Sequence, residues 1–234
     1  TCPNPGLFNT SADLILQFPS PQNGGFFGRD LTIGNINGDA YDDVIVGNPF
    51  ANYNGIENAG TVQVFFGGSN MNNISDLTFV KSNPTFNDQF GYTVSVYDID
   101  NDLVGDLAIG AWGADAINGD DANGEVTIYY GDSNFVSDTN QIINSPDIIL
   151  TKSPSEVDAR FGRWISTGDL NNDGYGDVLV GTPFANTELL DNGEAFVYLG
   201  SNNFDSTSDA HLTKLPAEAE AAFGRRDIVC DLNN

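Results

Sequence analysis

A nine-residue acidic loop occurs three times whole in this chain. The copies are Asn35-Ile36-Asn37-Gly38-Asp39-Ala40-Tyr41-Asp42-Asp43, Asp98-Ile99-Asp100-Asn101-Asp102-Leu103-Val104-Gly105-Asp106 and Asp169-Leu170-Asn171-Asn172-Asp173-Gly174-Tyr175-Gly176-Asp177. A fourth copy begins as Asp231-Leu232-Asn233-Asn234 at the end of the sequence. Oxygen-bearing side chains recur at loop positions 1, 3, 5 and 9. Several hard oxygen donors aimed at one centre suit a cation of the size of Ca²⁺. At those positions the first loop carries two carboxylates, the second four and the third three. Fewer charges predict weaker binding in the first. An EF-hand requires flanking helices and Glu at position 12. Position 12 here is Val46, Ile109 or Val180, and the flanks read as strands. A single Asx-rich loop can also be a simple turn; three copies in phase with other motifs favour the cation.

The elements that position these loops repeat with them. The loops begin at 35, 98, 169 and 231, so their spacing is 63, 71 and 62 residues. An aromatic-Gly pair precedes each one: Phe27-Gly28, Phe90-Gly91, Phe161-Gly162 and Phe223-Gly224. Each complete loop is followed by an apolar run ending in Gly: Val44-Ile45-Val46-Gly47, Leu107-Ala108-Ile109-Gly110 and Val178-Leu179-Val180-Gly181. Alternating runs follow at 60–67, 124–131 and 193–200, then a fourth apolar stretch at 77–80, at 148–150 and more weakly around Leu212. Short runs rich in β-branched and aromatic residues, bounded by Gly, Asn, Asp and Pro, are strand signals. No sustained 3.6-residue period is present, and 217–222 is the only helix-friendly stretch. Four short strands per unit of this length match a propeller blade, and such a unit buries its faces only against neighbours.

Phe-Gly, the acidic loop and Gly-x-Pro (Gly47-Asn48-Pro49 and Gly181-Thr182-Pro183, with Gly110-Ala111-Trp112 lacking the Pro) together resemble the FG-GAP repeat. That repeat builds the seven-bladed propeller of integrin α subunits. The resemblance runs from about Asp13 to Asn234. It implies an all-β fold with blades of four antiparallel strands, in an incomplete ring of about three and a half blades. The whole of 1–234 reads as one propeller segment, with units near 13–75, 76–146, 147–208 and a partial 209–234. The resemblance also implies Ca²⁺ between the first two strands of a blade, in about three complete sites and one partial. The implied ligands are Asn35, Asn37, Asp39 and Asp43; Asp98, Asp100, Asp102 and Asp106; Asp169, Asn171, Asp173 and Asp177; and Asp231 with Asn233 in the partial copy. Tyr41, Val104 and Tyr175 would add backbone carbonyls. Position 6 is ordinarily Gly; Gly174 fits, while Ala40 and Leu103 depart and imply altered local geometry.

The net charge is −25, with eight basic residues against thirty-three acidic ones. Three Ca²⁺ would offset only +6 of this, so nucleic acid and anionic membranes are poor partners. No apolar run is long enough to insert in a membrane as a helix. Arg29, Arg163 and Arg225 each follow Phe-Gly directly, with Tyr92 in that place in the second unit and Arg160 and Arg226 close by. They form either an anion-binding ring or, the favoured reading, pairs with carboxylates that order each blade. Cys2 and Cys230 have no zinc or redox spacing; they can pair with each other or with outside partners. Asn9 and Asn73 head glycosylation sequons.

These features point to an extracellular or cell-surface recognition and adhesion module. The resemblance implies that it would bind a protein or carbohydrate ligand through loops opposite the calcium loops, at 19–26, 81–89, 151–160 and 216–222 with 50–58, 112–122 and 184–191. Phe50, Trp112 and Phe184 stand at equivalent places in those loops and either make contacts or pack beneath them. Three blades and two fragments do not close a ring, so the chain reads as a piece of a longer protein or as one completed by another chain. Open edges would then allow self-association, and the alternative function is a building block of a surface layer or filament. A polysaccharide-acting enzyme is the third reading. The only His, His211, stands in a weak outer-strand segment, Cys2 and Cys230 have no His partner, and no carboxylate pair is marked for glycoside hydrolysis, so the expectation is a protein without catalytic activity.

Overall fold

A computed structural model describes residues 14–18, 26–69, 71–115, 122–135, 140–186, 191–214 and 222–225. The described residues contain strands and no helix. The first sheet holds β1 (Leu31–Gly34), β2 (Asp43–Asn48), β3 (Thr61–Phe65) and β4 (Leu77–Phe79). The second holds β5 (Thr93–Tyr97), β6 (Asp106–Ala111), β7 (Glu125–Tyr129) and β9 (Ile148–Thr151). The third holds β10 (Trp164–Gly168), β11 (Asp177–Thr182), β12 (Glu194–Tyr198) and β13 (Ala210–Thr213). Each four is an antiparallel meander, as a repeated hairpin pattern requires.

One strand departs from that pattern. β8 (Gln141–Ile143) leaves the connection between β7 and β9 and pairs in parallel with β4 of the first sheet. Gln141 N–H donates to Asp76 O, and Val80 N–H to Ile143 O, closing both ends of the added strand. The outer edge of the first sheet is thereby covered, which removes a row of unpaired backbone groups. The sheets also attach each outer strand to the three strands before it. Residues 77–79 pair with β3, and 210–213 with β12, beyond the approximate unit ends at 75 and 208. Residues 14–18 carry no strand; Phe18 rests against Phe27 with ring centroids 6.1 Å apart.

β1 packs on β5 and β5 on β10, while the first and third sheets do not touch among the described residues. The result is an arc of three blades with the first strand of each blade innermost, not a closed ring. Two apolar layers fill it. Ile45, Val62, Val64 and Phe79 of the first sheet meet Phe90, Leu107, Ile109 and Tyr129 of the second. Val126, Ile128 and Leu150 of the second meet Phe161, Val178, Val180, Phe196 and Tyr198 of the third. By contrast Leu31 and Ile33, on β1, are 62% and 63% exposed.

Blade-to-blade contact explains the Phe-Gly pairs. Phe90 and Phe161 are fully buried, and each forms a parallel bridge with the Gly before the third strand of the preceding sheet, Gly60 and Gly124. Phe223 bridges Gly193 in the same way. A Cβ on Gly124, whose φ is +90°, would stand 2.1 Å from Phe161 O. Only glycine lets the backbones approach this closely.

Candidate metal centre

Each acidic loop joins the first and second strands of its sheet, so all three lie at one end of the arc. Position 2 anchors the loop: Ile36 and Ile99 are buried in the core, and Leu170 is half-buried. Position 9 is the first residue of the second strand. Asp43, Asp106 and Asp177 are 0%, 1% and 0% exposed. Each holds two backbone N–H groups with its two oxygens. Asp43 accepts from Ile36 at 2.9 Å and Gly67 at 3.0 Å; Asp106 from Ile99 at 2.6 Å and Gly131 at 2.9 Å; Asp177 from Leu170 at 2.7 Å and Gly200 at 2.8 Å. A carboxylate with two oxygens retains acceptor capacity after two such bonds.

Positions 1, 3 and 5 shape the loop. In the second loop Asp98 accepts from the N–H of Asp102 at 3.0 Å and of Leu103 at 2.9 Å. In the third, Asp169 accepts from Asp173 at 3.1 Å and Gly174 at 2.9 Å. Position 5 closes a local turn onto position 7: Asp39, Asp102 and Asp173 accept from Tyr41, Val104 and Tyr175 at 2.7, 2.8 and 2.9 Å. At position 3, Asn37 and Asn171 each bond the position-5 residue.

The first loop takes another path. The amide of Asn35 donates to Asp39 O at 2.6 Å, whereas Asp98 and Asp169 accept at that place. An amide carries donors that a carboxylate lacks, so position 1 as Asn alters the turn. Position 6 differs accordingly. Leu103 has φ +72° and Gly174 φ +90°, while Ala40 is not in the left-handed region. Leu103 is a non-glycine residue held there, 85% exposed, with its side chain in solvent.

In the second loop, carboxylate oxygens of Asp98, Asp100 and Asp106 lie within 4.8 Å of one another. No other trio of carboxylate, imidazole or thiol ligands among the described residues is gathered so closely. Asp102 lies outside the trio. Asn37, Asp39, Asn171 and Asp173 are exposed or half-exposed rim residues. Burial raises the carboxyl of Asp106 to about 7, despite its two N–H bonds, and Asp100 and Asp102 push it further up. Burial raises Asp43 to about 6, with Asp39 adding to it. Asp177 and Asp100 are raised for the same first reason, Asp100 also by Asp102 and Asp98. The residues fit a hard cation on a further count. Asn35 Oδ1 and Asp100 Oδ1 are buried and accept no hydrogen bond. A buried acceptor without a partner costs about 1–3 kcal/mol, which a coordinated cation relieves. Asp231 and Asn233 lie outside the described residues, as do Cys2, Cys230 and Asn9; Asn73 is exposed.

Three further repeated features were not read from the sequence. Asp76, Asp147 and Asp209 each accept, at 2.7, 2.8 and 2.7 Å, the N–H of the residue after the third strand: Phe66, Tyr130 and Leu199. Their common place just before the outer strand is the signal that identifies them. The loops are also wired to one another. Gly105 N–H donates to Asn35 O, and Gly176 N–H to Asp98 O, both at 2.7 Å. Finally, Lys81 and Lys152, at the same phase, reach carboxylates of the next sheet. Lys81 Nζ is 3.7 Å from Asp88 and from Glu125; Lys152 Nζ is 3.1 Å from Glu156 and 3.7 Å from Glu194.

The arginines after Phe-Gly do not pair with carboxylates of their own blades among the described residues. At the end of the arc opposite the acidic loops, Arg29 lies over Tyr92 and Arg163 near Tyr92, Trp112 and Phe184. Trp112 and Phe184 thus pack under side chains, half-buried, while Phe50 meets Phe26 at 5.2 Å. The lone His211 stacks on Phe196 at 4.7 Å, with Nε2 3.2 Å from Glu194.

Comparison with known proteins agrees with this architecture. The FG-GAP repeat family matches residues 27–65 and 161–198. The chain is 31% identical over 191 residues to integrin alpha-8 of Gallus gallus, covering 79% of this chain and 16% of that one. It is 34% identical over 182 residues to integrin alpha ina-1 of Caenorhabditis elegans, covering 71% and 15%. It is also 28% identical over 183 residues to phosphatidylinositol-glycan-specific phospholipase D of Bos taurus, covering 75% and 20%. The chain spans a fifth or less of the length of these relatives. The solved structure of rhamnogalacturonan lyase YesW aligns over 82% of this chain and 35% of that one, with TM-score 0.50 and 12% identity, which bears on the fold alone. With its phased Phe-Gly corners, acidic loops and stacked four-stranded sheets, the chain belongs to the FG-GAP-repeat, integrin-α-like β-propeller family.

Proposed function

We propose that this chain is a calcium-stabilised, extracellular or cell-surface recognition module that acts without catalysis. The observation that carries the calcium reading is the second loop. It gathers three carboxylates, holds one of them buried on two backbone N–H groups, and leaves Asp100 Oδ1 buried without a partner. Asp98, Asp100 and Asp106 would hold the ion there, with Asp102 and the carbonyl of Val104 at the rim. The homologous sets are Asn35, Asn37, Asp39, Asp43 and Tyr41 in the first loop, and Asp169, Asn171, Asp173, Asp177 and Tyr175 in the third. A bound cation supplies the positive charge that each cluster lacks and ties the first strand of a blade to the second.

Recognition would then fall to the connecting loops at the opposite end of the arc. The integrin relatives support a protein ligand over a carbohydrate one. Calorimetric titration with Ca²⁺ and Mg²⁺ tests the metal reading. Saturable heat with Ca²⁺ and little with Mg²⁺, whose strict octahedral demand suits these loops poorly, is the expected outcome. No heat with either ion refutes it.

A self-assembling building block remains the second reading, and one observation favours it. Leu31 and Ile33 form an exposed apolar face on β1, at the position where its counterparts in β5 and β10 pack on a neighbouring sheet. Light scattering distinguishes a monomer from a chain-forming species.

A further inference from the structure

We infer that the acidic loops bind cations cooperatively, each loop being coupled to the one before it by a backbone hydrogen-bond path between their ligands. The inference rests on the calcium reading above and adds to it a coupling between sites.

The path is continuous. Gly105 is position 8 of the second loop, and its N–H donates to Asn35 O, position 1 of the first, at 2.7 Å. Gly176, position 8 of the third loop, donates in the same way to Asp98 O, position 1 of the second, also at 2.7 Å. Each donor belongs to a planar peptide unit whose other end is the carbonyl of position 7, Val104 or Tyr175. That carbonyl is in the ligand set proposed for its own loop. Each acceptor belongs to a second planar unit, whose N–H is that of position 2. Ile36 N–H donates to Asp43 Oδ2 at 2.9 Å, and Ile99 N–H to Asp106 Oδ2 at 2.6 Å. Asp43 and Asp106 are in the ligand set of the preceding loop. Two peptide planes and two hydrogen bonds therefore join a ligand of one loop to a ligand of the next, and the fold builds this path twice.

The junction is fixed on both sides. Asp102 and Asp173 accept the N–H of Val104 and Tyr175 at 2.8 and 2.9 Å, which orients the chain just ahead of each donor. Asp98, whose carbonyl the third loop engages, accepts from Asp102 and Leu103 with its side chain and so shapes the second loop. The approach requires glycine at position 8. A Cβ on Gly176 would stand 2.7 Å from Asp98 O, and one on Gly105 3.0 Å from Asn35 O. A cation drawing on a position-7 carbonyl polarises that peptide and makes its N–H a stronger donor; hydrogen bonds in such a chain strengthen one another. The neighbouring loop is then held in its ligating shape before its own cation arrives. The effect is reciprocal, as any coupling between binding sites must be. The first and third sheets do not touch among the described residues, so along this path their loops are coupled only through the second.

The test titrates Ca²⁺ into the full ¹⁵N-labelled chain and follows by NMR the amides of Ile36, Ile99 and Leu170, one in each loop. About 1 M KCl screens charge effects beyond roughly 3 Å. Asp173→Asn weakens the third site, yet Asp173 lies on neither peptide unit of the path. It is expected to raise the Ca²⁺ concentration at the Ile99 midpoint by about fivefold and to move the Ile36 midpoint less. Asp39→Asn, in the first loop, serves where Asp173→Asn does not fold, and should move Ile99 more than Leu170. An Ile99 midpoint unchanged in both variants, or near and far loops displaced equally, overturns the coupling and leaves calcium binding standing. Amides that do not respond to Ca²⁺ in any loop overturn the calcium reading and the coupling with it.

Discussion

Removing Ca²⁺ is expected to make the stability of this propeller fall as pH rises. Asp106 is the group that sets the size of the effect. Its carboxyl is raised from 3.8 to about 7, chiefly by burial. A carboxyl held higher in the folded than in the unfolded chain keeps its proton longer when folded. Below about pH 4 both states are protonated and it costs nothing. Between about 4 and 7 the unfolded chain ionises first, so stability is lost steadily. Above 7 both are ionised and the full cost remains. A shift of about 3 units corresponds to at most ~4 kcal/mol. Asp43, raised to about 6, adds at most ~3 kcal/mol over a window ending one unit lower. For a chain of 234 residues, each kcal/mol moves the melting temperature by about 2–4 °C. Asp106 alone therefore gives a fall of roughly 8–16 °C in EDTA between pH 4 and pH 8. With Ca²⁺ the ionised carboxylates would serve as ligands, so the fall should flatten or reverse. Saturation at 100 times Kd adds about 2.7 kcal/mol per site. Thermal unfolding by circular dichroism, in EDTA and in Ca²⁺, reads both curves. Superimposable pH profiles would refute the reasoning, because buried acids would then be ionising without a counter-ion.

Three other outcomes are expected. Asp100→Ala should weaken Ca²⁺ binding more than Asn37→Ala, since it removes a charged, partnerless oxygen from the trio, whereas Asn37 is a neutral rim residue of the least acidic loop; equal losses in a metal titration would show that charge does not grade the loops. Lys152→Met should cost about 3–5 kcal/mol in denaturant unfolding, because the buried Glu194 loses its lysine and keeps only the exposed His211, and Glu194→Gln in the same chain should recover much of it. Gly124→Ala should cost about 2–4 kcal/mol through its φ of +90° and the 2.1 Å approach to Phe161 O; Gly55→Ala, with φ +81° but open space, should cost only about 1–2 kcal/mol, and equal losses would remove the blade contact from the explanation.

Much of the arc was legible in the sequence because its repeat couples local signals that rarely coincide by chance. Ile36, Ile99 and Leu170 recur at position 2 because each loop needs one apolar anchor, and Asp43, Asp106 and Asp177 recur at position 9 because each must satisfy two N–H groups. Such requirements act within one blade, over a few residues, and leave a periodic trace. Contacts between blades leave a fainter one. Lys81 and Lys152 repeat in phase, but their carboxylate partners lie in the next sheet at separations that vary with loop length. β8 leaves none, since its parallel pairing with β4 depends on where a long connection crosses back. The arginines show the division most plainly. Their phase after Phe-Gly is written in the chain. Whether each meets a carboxylate of its own blade or converges with the others on Tyr92, Trp112 and Phe184 depends on how the sheets stack. Repetition along a chain records what each unit needs for itself; the packing of one unit on the next decides which side chains of different units become neighbours, because that distance is set by the buried core between the sheets and not by separation in sequence.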